Sequence, residues 1–162
     1  MDRMKIRKIV KIIIAILVCQ LAGVIGSIFT MSSIPTWYAT LQKPSFSPPN
    51  WLFGPVWTTL FTLMGISLYL VWDRISRSKE TKKPLVIFGV QLVLNIFWSV
   101  LFFGLKSSFY AFIEIIILWL AIAFNIFKFY KISKNAGLLL IPYLLWVTVA
   151  TILNFYIWML NP

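Results

Sequence analysis

Five long apolar stretches run through the chain, separated by short polar or proline-rich breaks. Read at the length of about 20 residues needed to cross a bilayer, they fall at about 9–29, 51–72, 85–103, 109–127 and 138–160. In hydrocarbon a backbone must satisfy its own N–H and C=O groups, so each stretch is read as a helix. The expectation is an all-α integral membrane protein, one five-transmembrane-helix domain over residues 1–162, with a loop at about 31–50 between the first two spans. The basic start of the first stretch resembles a signal peptide, and Gly23, Gly26 and Ser27 imitate a cleavage site. Its apolar run exceeds the 7–15 residues or so of such a peptide, which favours a retained helix.

Composition agrees with the pattern. The chain is 60% hydrophobic and 12% charged, against about 25% charged in soluble domains. The net charge of +11 is confined to the breaks. Arg3, Lys5, Arg7, Lys8 and Lys11 cluster at the N-terminus. Arg74, Arg77, Lys79, Lys82 and Lys83 follow the second span, and Lys128, Lys131 and Lys134 follow the fourth. The other set of loops has only Lys43 and Lys106. This asymmetry predicts a cytoplasmic N-terminus and a C-terminus outside, with the 31–50 loop on the non-cytoplasmic face. Charges that bracket apolar spans fit a lipid surface; a nucleic-acid partner would need a basic face.

The chain offers little for conventional catalysis. It has no histidine, one cysteine (Cys19) and four acidic residues. No metal-ligand cluster can be assembled from these, and the commonest general base and haem ligand are missing. Neither a metal nor a cofactor is expected. Cys19 alone excludes an internal disulfide.

Binding chemistry is better represented. Three tryptophans (Trp37, Trp51, Trp57) and four prolines (Pro44, Pro48, Pro49, Pro55) crowd the segment around the first loop. Such a segment reads either as an interfacial aromatic belt or as a lid over a pocket. Helical spacing puts Gln91, Asn95 and Trp98 on one face of the third span, with Ser99 beside them. It likewise aligns Tyr143, Trp146, Ala150 and Asn154 on the fifth, and Trp57 and Phe61 on the second. Stripes of this kind commonly glue helices together. Eight tryptophans in the chain exceed that need, and flat π-faces with a few amides suit a flat apolar ligand. Glu114 is the one ionisable residue deep in a span, with Asn125 on the same helical face. It reads as a ligand or relay contact, or more commonly as a hydrogen-bond partner for Gln91 or Asn95 on a neighbouring helix. Pro55 and Pro142 fall in the opening turns of their spans, where a missing N–H is tolerated. Ala22/Gly26 and Gly23/Ser27 are small-xxx-small pairs that suggest a dimer seam.

These strings together resemble the tryptophan-rich sensory protein/translocator protein family (TspO/MBR, peripheral benzodiazepine receptor), in a bacterial form. The matching strings are Trp37-Tyr38-x-x-Leu41-x-Lys43-Pro44, Pro48-Pro49-x-Trp51-x-x-Gly54-Pro55-Val56-Trp57, Gln91-Leu92-x-Leu94-Asn95-x-x-Trp98 with Phe102-Phe103-Gly104, and Pro142-Tyr143-Leu144-x-Trp146 with Ala150 and Asn154. The resemblance implies a five-helix bundle, often a homodimer, in the bacterial cell membrane. It implies an intrabundle pocket for porphyrins, sterols and drug-like aromatics, under the loop between the first two helices. The positions matching its pocket motifs are Tyr38, Pro48, Trp57, Phe61, Asn95, Trp98, Trp146 and Ala150. Trp57 and Trp146 match the tryptophans associated with light-dependent porphyrin breakdown. The family's terminal sterol motif is incomplete here, since no basic residue follows Leu153 and Tyr156. The function expected is that of a receptor or sensor for tetrapyrroles. The alternatives are a light- and oxygen-dependent porphyrin-degrading enzyme, in which Trp57 and Trp146 would be catalytic, and a porphyrin or sterol transporter.

Overall fold

The computed structural model describes residues 2–78 and 81–162, and it is helical in every regular element among them. Helix α1 spans Arg3–Ser33 and runs on through a wide π-helical turn at Ile34–Tyr38. Helix α2 is Asn50–Arg77, and α3 is Lys83–Ser99, followed by a second wide turn at Val100–Gly104. Helix α4 is Ser108–Ile132, and the short α5 (Lys134–Leu139) leads into α6 (Ile141–Leu160). With each wide turn added to its helix and α5 to α6, these make 5 helices long and apolar enough to cross a membrane. The chain is therefore an integral membrane protein. Its N-terminus, the α2–α3 connection and the α4–α5 connection lie at one end of the bundle, the basic end. The α1–α2 connection and the C-terminus lie at the other.

The basic-side ends of α2 and α4 run five residues past the expected spans, to Arg77 and Ile132, and the first span differs at both of its ends. Helix α1 starts at Arg3, because Asp2 caps it by accepting from the Met4 N–H and because Arg and Lys are good helix formers. At its far end helical geometry persists through Thr40, so the irregular connection is 41–49 and the expected loop at 31–50 is too long. Pro35, which reads as a helix breaker, sits in the opening turn of the wide segment. A π-helical turn has a looser hydrogen-bond ladder and absorbs the missing N–H. The span Arg3–Tyr38 has 36 residues, about 54 Å of helix. That exceeds the ~30 Å hydrocarbon core, and the excess carries the basic residues into the headgroups. At the fifth span Pro142 opens α6, and α5 is an added turn on the basic side.

The core divides along the bundle axis. Towards the basic end, Phe88 and Phe129 stack with ring centroids 5.6 Å apart, and Met64, Val71, Ile122 and Leu140 are buried around them. There α1 and α2 meet backbone to backbone. A Cβ built on Gly65 would lie 2.5 Å from the Ile16 Cα, so only glycine fits. Asp73 ties the same ends together, 3.5 Å from Lys11 Nζ and 2.6 Å from Arg77. Lys79, counted above among the basic loop residues, lies outside the described residues. A second cluster at the opposite end joins Tyr38, Phe102, Phe103, Leu153 and Ile157. The Ser33 hydroxyl donates to the Phe103 carbonyl at 2.6 Å, linking one wide turn to the other. The small residues expected to form a dimer seam are used within the chain. Gly23 lies against the Phe61 ring and Gly26 against Ser99.

Candidate ligand cavity

Between the two cores the helices part around a cavity of about 480 Å³, lined by α1, α2, α3, α6 and residues of the α1–α2 connection. Tyr38, Pro48, Trp57, Phe61, Asn95, Trp98, Trp146 and Ala150 all line it. The helical stripes explain how they converge. Trp57 and Phe61 stack one turn apart on α2 at 5.5 Å, and Trp57 meets the edge of Tyr143 from α6 at 6.2 Å. Trp98 stacks on Phe102 at 5.1 Å, and Phe53 meets Trp146 edge-on at 6.1 Å. Each such pair adds about 0.5–1.5 kcal/mol beyond burial, so the walls are rigid aromatic surfaces.

The polar groups behind these walls are mostly paired with each other. Asn95 Nδ2 donates to Tyr143 Oη at 2.8 Å, and Tyr143 Oη donates to Gln91 Oε1 at 3.0 Å. Trp98 Nε1 donates to Asn154 Oδ1 at 3.0 Å, while Asn154 Nδ2 donates to the Ser108 carbonyl at 2.7 Å. Two fully buried donors on cavity-lining residues are left over. Among the described residues neither the Tyr38 hydroxyl nor the Trp146 indole N–H has a partner, although both atoms are buried. A buried donor without a partner costs about 1–3 kcal/mol, which a ligand acceptor would recover.

Glu114 does not take the role expected of it. Gln91 and Asn95 are engaged by Tyr143, and neither Glu114 oxygen has a partner among the described residues. Glu114 is buried yet absent from the cavity lining. Asn125 is likewise buried with both amide atoms unpaired. The physical reason is reach: the Tyr143 side chain extends from α6 and sits between the two α3 amides. Gln91 is also absent from the lining, so the amide on the ligand's side of α3 is Asn95.

Several lining residues were not expected at a ligand site. Gln20, Gly23, Ser27 and Thr30 bring α1 into the cavity wall. The hydroxyls of Ser27 and Thr30 bond to carbonyls of their own helix, Val24 and Gly26. They therefore present little free polarity and resemble ordinary span residues. Phe53, Phe102 and Leu153 complete the lining from neighbouring turns.

The 41–49 connection closes the end of the cavity and is tied down. Gln42 N donates to Asn161 Oδ1 at 3.0 Å, and Asn161 Nδ2 returns a bond to the Gln42 carbonyl at 2.9 Å. Lys43 Nζ sits 4.6 Å over the Tyr38 ring, a cation–π contact. Phe46 meets Tyr156 edge-on at 5.5 Å.

Comparison with known proteins gives this arrangement its setting. The model of the TspO/MBR family matches residues 15–159. A tryptophan-rich protein TspO from Archaeoglobus fulgidus is 46% identical over 157 residues, 94% of this chain and 98% of the relative. The translocator protein of Homo sapiens is 38% identical over 83% of this chain and 80% of its own length. A tryptophan-rich sensory protein from Cereibacter sphaeroides is 35% identical over 77% of each. A match over most of the chain, with relatives 35–46% identical, leads to one conclusion: the chain belongs to the TspO/MBR family.

Proposed function

We propose that this protein is a membrane receptor that binds porphyrins and similar flat apolar ligands in the cavity beneath the 41–49 connection, with its basic end in the cytoplasm. The observation that carries the reading is the pairing of aromatic walls with two free donors, Tyr38 Oη and Trp146 Nε1. The walls fit a π-face, and the donors fit acceptors on the rim of a tetrapyrrole. The volume of about 480 Å³ is in the ~300–1,000 Å³ range of small-molecule sites. A few aromatic contacts together with apolar burial at about 25 cal/mol per Å² reach the ~8 kcal/mol of a micromolar complex. Relatives named as a sensory protein and as a translocator protein support a membrane role in sensing or transport. The test is a dark titration of purified protein with protoporphyrin IX, read by tryptophan fluorescence. Saturable quenching is expected; quenching that only tracks porphyrin concentration overturns the reading.

A second reading rests on Trp57 and Trp146 lining the same cavity, so that a bound porphyrin would lie between oxidisable rings. It is a light-dependent breakdown of porphyrin with dioxygen as oxidant. Illuminating the titrated sample separates the two. Protein-dependent bleaching that Trp57→Phe and Trp146→Phe abolish favours the enzyme. Bleaching unchanged by either substitution leaves the receptor reading standing.

A further inference from the structure

Helices α1 and α2 share one seam, and it changes character along its length. At Gly65 the two backbones touch, with the Ile16 Cα 2.5 Å from a built Cβ. One turn higher Gln20 Nε2 stitches across, donating to the Thr58 carbonyl at 3.0 Å and to Thr62 Oγ1 at 2.9 Å. Gly54 lies on the same face of α2, about three turns from Gly65. A Cβ built there meets nothing within 4 Å. The rims of this open stretch belong to the cavity lining and are bare: Val24 is 58% exposed, Met31 73% and Trp51 73%. All three residues belong to helices long and apolar enough to cross a membrane, and an exposed apolar rim on such helices is a surface suited to lipid.

The other approaches to the cavity are crossed by contacts. The α2–α6 side is bridged by Phe53 against Trp146 and Trp57 against Tyr143. The end is held by the paired Asn161–Gln42 bonds. The rim hydroxyls of the open seam bond to carbonyls of their own helices, Ser27 to Val24 and Thr58 to Gly54. An apolar molecule passing between them would break no hydrogen bond.

We propose that the upper half of the α1–α2 seam is a lateral portal, through which a flat amphiphile dissolved in the membrane exchanges directly between the lipid and the cavity. The proposal rests on the reading of the cavity as a small-molecule site, and it deepens that reading: the ligand class is one that partitions into the bilayer and arrives edge-first. Gln20 marks the lower limit of the portal, and Gly54 keeps it wide.

The test follows access to the cavity and does not depend on porphyrin affinity. A thiol is placed on the far wall as Ala150→Cys in a Cys19→Ala background, with the full chain in lipid nanodiscs. It is treated with an apolar N-alkyl maleimide or with a sulfonated maleimide confined to water. The apolar reagent is expected to react at least about tenfold faster. Gly54→Leu, whose side chain enters open space, slows it by about tenfold, and Met31→Trp on the opposite rim slows it independently. Asn161→Ala, which frees the end connection, changes neither reaction. Equal rates for the two reagents, a rate unmoved by both rim variants, or a thiol that neither reagent reaches each overturns the portal. Labelling as expected in a protein that fails to bind porphyrin leaves the portal intact and removes the ligand assignment alone.

Discussion

Two sets of buried polar side chains occupy this bundle and are treated in opposite ways. On α3 and α6, Asn95, Tyr143, Trp98 and Asn154 hydrogen-bond across helices. On α4, Glu114 and Asn125 are as deeply buried and have no partner among the described residues. The difference teaches what the paired set is for. In a medium without water a paired amide is fixed in place, and it holds the aromatic walls of the cavity at set angles. Glu114 and Asn125 stand outside the cavity lining and fix nothing there.

The largest effect is expected where the paired set is broken at its centre. Tyr143→Phe removes the hydroxyl shared by Asn95 and Gln91 and leaves two buried amides short of a partner. It should cost about 3 kcal/mol, seen as a fall in melting temperature in detergent; an unchanged melt would mean that water replaces the hydroxyl. Next comes Trp146→Ala, which removes a wall and a free donor together. Porphyrin affinity should drop by about 2 kcal/mol, roughly thirtyfold in Kd. Trp146→Phe keeps a ring and loses only the indole N–H, so a loss of about 1 kcal/mol, near fivefold, is expected. A Kd equal to wild type would show that this donor does not face the ligand. The smallest effect sharpens the contrast from the other side. Glu114→Leu removes a buried group with nothing to lose, and should raise stability by up to about 1 kcal/mol while leaving Kd unchanged. Destabilisation would instead reveal a partner for the carboxyl group.

Much of this was legible in the residues. The spans follow from apolar length, and the stripes on α2, α3 and α6 follow from helical period, so the side chains of one stripe had to face one way. Periodicity does not say which helix stands opposite. That is why Glu114 looked like a partner for Asn95 when Tyr143 holds that place. The contribution of α1 was hidden for a different reason. Glycines and hydroxyls that bond to their own backbone carry no amphipathic signal, yet such residues let a helix approach closely or stand aside. The continuation of α1 past Pro35 was illegible because the residue that breaks an ordinary helix is accommodated by a wide turn.

Those wide turns have a consequence for chain length. Deleting one residue from most of a span would rotate everything beyond it by about 100° and carry lining residues away from the cavity. At Ile34–Tyr38 and Val100–Gly104 the backbone already holds one residue more than a regular helix needs. A single deletion there tightens the turn to an ordinary one, and the residues beyond keep their faces. What disappears is the local widening that sets the Tyr38 ring 6.3 Å from Phe102 and 5.8 Å from Phe103. The aromatic cluster at this end of the bundle thus owes its geometry to surplus length as much as to the identity of any side chain.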